Sequence, residues 1–205
     1  MENLNEIIDQ IEQNLDDKDA IREVALKSCR AITRLSTAVT QGVHRKENVD
    51  DIFNDAREET SRLRSLTQDH PDLLHSGFVQ NALQELCEAA ILLAVIKDNE
   101  LPTPKDLGAT DTSYLLGMAD TIGELRRFTL ECLRAEDVEK ASSYLEKMEK
   151  FYEVMIRFNY PNALVSIRRK QDIARSLIEK TRGELTVAVR GRALEEKIDK
   201  LQKKI

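Results

Sequence analysis

Apolar residues recur at intervals of three and four along nearly the whole chain, the spacing of one face of an α-helix. Leu4, Ile7, Ile8, Ile11 and Leu15 open the pattern and predict a first helix over residues 2–15, with Asp16-Asp17-Lys18-Asp19 as a break or cap. Ile21, Val24, Ala25, Ala31, Ile32, Leu35 and Val39 continue it toward Gly42, a candidate stop. A third helix is predicted over 49–66, and Pro71 suits the first turn of a long helix ending near Asp98. Two prolines and a glycine mark 99–112 as a loop. Beyond it the pattern predicts a helix over 113–133, one capped by Asp137 and ending near Arg157, and a last one opened by Pro161 and running toward Lys203.

The fold class that follows is all-α: one bundle of six or seven mostly long helices over 1–205, with 1–15 separable and 193–205 a helical extension. Composition agrees. Seven Gly and four Pro are about 5% of the chain, against a usual share near 12%, too few for a sandwich or barrel rich in turns. Charged residues at 33% beside hydrophobic ones at 41% describe helices with charged outer faces.

The last helix bears on assembly. From Pro161 to Lys203 it would be about 64 Å long, whereas a compact domain of this size is roughly 40–45 Å across. Leu194, Ile198, Leu201 and Ile205 carry a 4-3-4 apolar seam along its end. The parent domain or a neighbouring subunit must cover that seam.

Charge and cysteine usage narrow the compartment and partners. The start, Met1-Glu2-Asn3, has no secretory character, and the apolar run Ala89–Ile96 is too short to span a bilayer. Cys29, Cys87 and Cys132 form no C-x-x-C pair, which suits small buried residues in a reducing cytoplasm. A net charge of −6 argues against broad non-specific nucleic-acid binding, and nine aromatic residues leave few rings for stacking. His44, His70 and His75 lie near predicted helix ends, as capping or surface residues do.

Two acidic pairs stand out. Glu85 and Glu88 lie at i and i+3 on one helix, directly before the all-apolar run. Asp120 and Glu124 lie at i and i+4 on the next, within roughly 60° of Arg127 and Glu131 about its axis. Both groups also read as ordinary solvated polar stripes. If a helical hairpin set the pairs face to face, each carboxylate contact at about 5 Å would cost on the order of 3 kcal/mol without a cation or a proton. Oxygen-only ligands favour Mg²⁺, Mn²⁺ or Ca²⁺ over zinc. Among the basic residues, Arg127 shares the stripe of Asp120 and Glu124, and Arg30 and Arg34 are one helical turn apart. These are the candidates for meeting phosphate.

These residues give the chain a resemblance to the translin superfamily, in a prokaryotic-type form, from about Ala25 onward. Its densest stretches are residues 84–89 (QELCEA), 114–127 (YLLGMADTIGELRR) and 189–191 (VRG). Of the family's two branches, translin binds RNA and DNA and lacks the acidic set. Translin-associated factor X carries it and is the catalytic branch. Glu85, Glu88, Asp120 and Glu124 match that branch's acidic positions, and Arg127 matches a basic position common to both.

The resemblance implies a translin-like all-α fold and barrel-like oligomers. It also implies a Mg²⁺-dependent endoribonuclease, a hydrolase acting on single-stranded RNA inside the shell, with the four carboxylates as metal ligands and catalytic groups. A single chain would have to form that shell, so a homo-oligomer, octamer-like in its closed form, is inferred rather than carried over. Three other readings remain open. One is a non-catalytic protein binding RNA or single-stranded DNA. Another is an all-α Mg²⁺-dependent nucleotide pyrophosphatase, since such enzymes also place Glu-x-x-Glu and a second acidic pair on neighbouring helices. The third is a structural coiled-coil scaffold, which the C-terminal seam would serve.

Overall fold

The computed structural model describes residues 3–203. It contains seven helices and, among the described residues, no strand: α1 Leu4–Arg45, α2 Asp50–Leu66, α3 Pro71–Leu74, α4 Gly77–Ile96, α5 Asp111–Arg134, α6 Val138–Met155 and α7 Arg168–Gln202. The all-α expectation holds. Contacts divide the chain between Tyr114 and Leu115, inside α5, into two compact units.

In the first unit α1 packs against α2 and α4. The predicted break at 16–19 is absent. That run holds no Gly or Pro, and Asp disfavours a helix by only a few tenths of a kcal/mol. Its side chains are also occupied: Gln13 Nε2 donates to Asp17 Oδ1 at 3.0 Å, Arg22 reaches Asp19 at 3.3 Å, and Lys18 pairs with Asp72. Gly42 does not stop the helix either. It is buried where a Cβ would run into Val49 Cγ1, so glycine admits the returning chain. Lys46, left-handed at φ 60°, ends the helix four residues later.

The long helix expected from Pro71 is instead a single turn, α3, followed by a fresh start. Ser76 adopts extended backbone, and its hydroxyl and the Gln80 amide donate to the carbonyls of Leu73 and Leu74. Ser76-Gly77 is the sequence signal for that restart. From there α4 forms the core: Val79, Leu83, Leu86, Cys87, Ala89, Ile91 and Leu92 are almost wholly buried. By length and composition α4 could cross a membrane, which corrects the expectation from the shorter apolar run, but 67% of that stretch is buried inside the protein. The predicted loop is present, and Gly108 there has φ +60°.

In the second unit α6 packs on α7. Asp137 caps α6 as expected, accepting from the Lys140 N–H at 3.0 Å. Pro161 does not open α7. Its carbonyl closes one local turn with Leu164 and Val165, and α7 starts at Arg168. Gln171 fixes that start by donating to the carbonyls of Met155 and Phe158 at 2.8 and 2.9 Å.

The 35 residues of α7 span about 52 Å. Its buried face, Ala174, Ile178, Thr181 and Leu185, stops at Leu185. Beyond that, Leu194, Ile198 and Leu201 are 60%, 45% and 62% exposed. Leu4, Ile7, Ile8, Ile11 and Leu15 on α1 are likewise exposed. Ile205, the last position of the α7 seam, lies outside the described residues.

Candidate active site

The polar face of the core helix carries the first acidic pair. Glu85 and Glu88 are half-buried on α4, between the buried Leu83, Leu86, Cys87 and Ala89. The sequence expectation that Glu88 abuts a buried stretch holds. Carboxylates so placed give up part of their hydration and gain from a cation brought to them. The neighbouring thiols offer no competing chemistry. Burial raises Cys29 to about 11 and Cys87 to about 12, so both stay protonated at neutral pH.

The second pair belongs to the second unit. Asp120 and Glu124 are half-buried on α5, whose opposite face buries Met118, Ile122 and Leu125. Asp120 Oδ1 accepts from the Lys170 ammonium at 2.5 Å, with the two side chains 30% and 25% exposed. Spacing alone does not single out Lys170. Fifty residues separate it from Asp120, and only the docking of α7 joins them.

Two adjacent arginines on α5 have opposite surroundings. Arg126, only 17% exposed, grips Glu184 with two hydrogen bonds of 2.7 and 2.9 Å and donates to Thr181 Oγ1 at 2.6 Å. That grip holds the Glu184 carboxyl below the usual carboxylate range. Arg127 is 57% exposed and pairs with Glu131 at 3.6 Å, i,i+4.

Arg30 and Arg34 lie exposed on α1, on the wall of an open pocket of about 480 Å³ in the first unit, which Phe78 and Asn81 of α4 also line. Phe78 escaped the sequence reading, because a half-buried ring at a helix start looks like core. The three histidines fall at helix ends as expected: His44 in the last turn of α1, His70 and His75 flanking α3.

The donor chemistry fits Mg²⁺, which takes oxygen ligands, keeps several waters and is commonly held by one or two carboxylates. Glu85 with Glu88, and Asp120 with Glu124, are pairs of that kind. Among the described residues, however, no three His, Cys, Asp or Glu side chains form a group able to hold an ion. Each pair by itself thus supplies at most two protein ligands.

The fold and the acidic helices define a class, the translin-like all-α proteins, and the comparisons agree. The translin family model matches residues 17–183, and the chain belongs to that family. An uncharacterised protein of Methanocaldococcus jannaschii is 34% identical over 206 residues, covering 98% of this chain and 90% of the relative. The crystal structure of AfC3PO superposes with a TM-score of 0.84 at 31% identity, covering 91% of this chain and 98% of that one. A structure of AfC3PO in complex with duplex RNA gives a TM-score of 0.75 over the same coverage at the same identity. Apo-NeC3PO, at 20% identity over 88% of this chain and 96% of its own, has a TM-score of 0.78 and supports the fold alone. The family match ends at Gly183, so the exposed seams at both ends of the chain lie outside it.

Proposed function

We propose that this protein is a Mg²⁺-dependent endoribonuclease that cuts single-stranded RNA within a shell built from copies of itself in the cytoplasm. The observation that carries the reading is the half-buried Glu85–Glu88 pair on the most buried helix of a translin-family chain. A solvated face has no need to set two carboxylates at i and i+3 among buried neighbours.

Glu85 and Glu88 on α4 would hold a cation as one pair, and Asp120 and Glu124 on α5 as another. Bound there, Mg²⁺ (or Mn²⁺) supplies Lewis acidity at the scissile phosphate and a water of lowered pKa. Glu124 accepts the proton of the attacking water, and Arg127 binds phosphate and sets the strand's register. The Lys170 ammonium beside Asp120 would compete with a cation for that carboxylate. RNA is favoured as the ligand class because AfC3PO, 31% identical, has been crystallised with duplex RNA.

A specific observation favours a second reading, RNA binding without cleavage. Asp120 is already neutralised by Lys170, and the described carboxylates form no group of three. Incubating end-labelled RNA with the purified protein, with Mg²⁺ or with EDTA, separates the two. Mg²⁺-dependent fragments support the nuclease, and a saturated but intact complex supports the binder.

A further inference from the structure

We infer that the α1–α4 groove is a nucleotide subsite, in which the Phe78 ring stacks on one base while Arg30 and Arg34 hold the flanking phosphates. This rests on the RNA-binding reading and names the subsite at which the strand enters.

Within the first unit α4 runs in the same direction as α1. Asp72, just before α4, pairs with Lys18, and Lys97, just after it, meets Asp50, just past the end of α1, at 2.6 Å. That register sets the start of α4 beside the middle of α1, where a pocket of about 480 Å³ opens between them. Leu26, Cys29 and Phe78 make its wall apolar, Asn81 adds an amide, and Arg30 and Arg34 stand on its rim.

The chemistry matches one ligand class. An apolar floor with a half-buried ring accepts the flat face of a base, and an amide can read its edge. The two guanidinium groups, one helical turn or about 5–6 Å apart at Cβ, suit successive phosphates rather than a single anion. An unstacked base is required, so the subsite selects single strands over duplex.

The subsite is also in line with the chemistry. Phe78, Asn81, Glu85 and Glu88 follow at spacings of three, four and three and share one face of α4 within roughly 80°. Glu85 and Glu88 lie about 6 and 10 Å beyond Asn81 along the helix. A nucleotide seated on Phe78 therefore positions the next phosphodiester toward the carboxylates. Few rings are needed for this, because a single well-placed one anchors the strand.

The chain contains no Trp, so Phe78→Trp installs a single indole fluorophore in the groove. The full-length variant, with helicity checked by circular dichroism, is titrated with three probes. These are a ten-nucleotide single-stranded RNA, the same oligomer abasic throughout, and a free nucleoside monophosphate. Anisotropy of an end label follows RNA binding independently. The expected result is that bound RNA quenches the indole emission at least about twofold, as base stacking does. The abasic strand binds without quenching, and the monophosphate quenches only at far higher concentration. Should Phe78→Trp fold poorly, Phe78→Leu keeps the apolar volume and removes the ring, with an expected loss of RNA affinity of about tenfold.

RNA that binds by anisotropy while leaving the indole emission unchanged, or Phe78→Leu binding as tightly as wild type, overturns the subsite and leaves the RNA reading standing. Equal quenching by the abasic strand also overturns it. No anisotropy change with any RNA removes the RNA reading, and the subsite with it.

Discussion

Replacing Arg126 and Arg127 separately by alanine sets a structural arginine against a binding one at neighbouring positions. Arg126→Ala removes a bidentate pair with Glu184 and a 2.6 Å bond to the buried Thr181 hydroxyl. Hydrogen bonds to charged groups contribute about 1.5–3 kcal/mol. Glu184 is 44% exposed, and solvent screening reduces this to about 1–2 kcal/mol. For a chain of this size that corresponds to a fall in Tm of roughly 2–8 °C. The pH dependence has a definite sign. Arg126 lowers the Glu184 pKa in the folded state, so its stabilisation is complete above the ordinary carboxylate pKa and is lost as pH falls through the lowered value. The gap between the melts of wild type and Arg126→Ala should accordingly narrow on acidification below about pH 4, leaving only the Thr181 contribution. Arg127→Ala leaves Tm unchanged, because a 3.6 Å exposed helix pair contributes only a few tenths of a kcal/mol. It weakens oligonucleotide binding, about equally for many sequences, and flattens the salt dependence. An Arg126→Ala protein melting within about 1 °C of wild type at pH 7, or an Arg127→Ala protein losing several degrees, would refute this division of labour.

Glu88→Ala and Asp120→Ala abolish cleavage but keep RNA binding and helicity, with a lower Tm only for Asp120→Ala, which takes the partner from the part-buried Lys170 ammonium; persistent Mg²⁺-dependent cutting by both variants contradicts their assignment. Lys170→Met lowers the Mg²⁺ concentration for half-maximal cleavage by removing the ammonium that competes for Asp120, and a Mg²⁺ titration of activity checks it. RNA affinity falls steeply between about 50 and 200 mM salt in a filter-binding series, by about an order of magnitude for every two phosphates or so neutralised. Light scattering reports a particle larger than a dimer, and Leu194→Glu with Ile198→Glu reduces its mass, because a partner's apolar surface no longer covers the seam.

The periodicity of apolar residues carried most of the fold, since a helix writes its buried face at every third or fourth position. Its errors fell where a few local atoms decide. Three aspartates looked like a stop but lay in good helix with partners in reach, and Pro71 looked like the start of a long helix that Ser76-Gly77 restarts. Pro161 closes a turn instead of opening α7, because Val165 and Ile167 dive into the core before the helix begins. The acidic pairs were legible because their spacing is local to one helix, and the burial beside Glu88 because the run after it is apolar all round. Contacts made across the fold were not legible. Nothing in the spacing links Lys170 to Asp120, ties Arg126 to Glu184, or sets Phe78 beside Arg30 and Arg34.

Whether the purified protein cuts RNA with its own carboxylates is the central question. The measurement is single-turnover cleavage of a labelled single-stranded RNA at saturating protein, with Mg²⁺ and with EDTA, for wild type and Glu88→Ala side by side. The nuclease reading predicts fragments only from wild type with Mg²⁺, and intact but fully bound RNA in the other three reactions. Intact RNA in all four, with binding saturated, would contradict the nuclease and leave an RNA-binding member of the translin family.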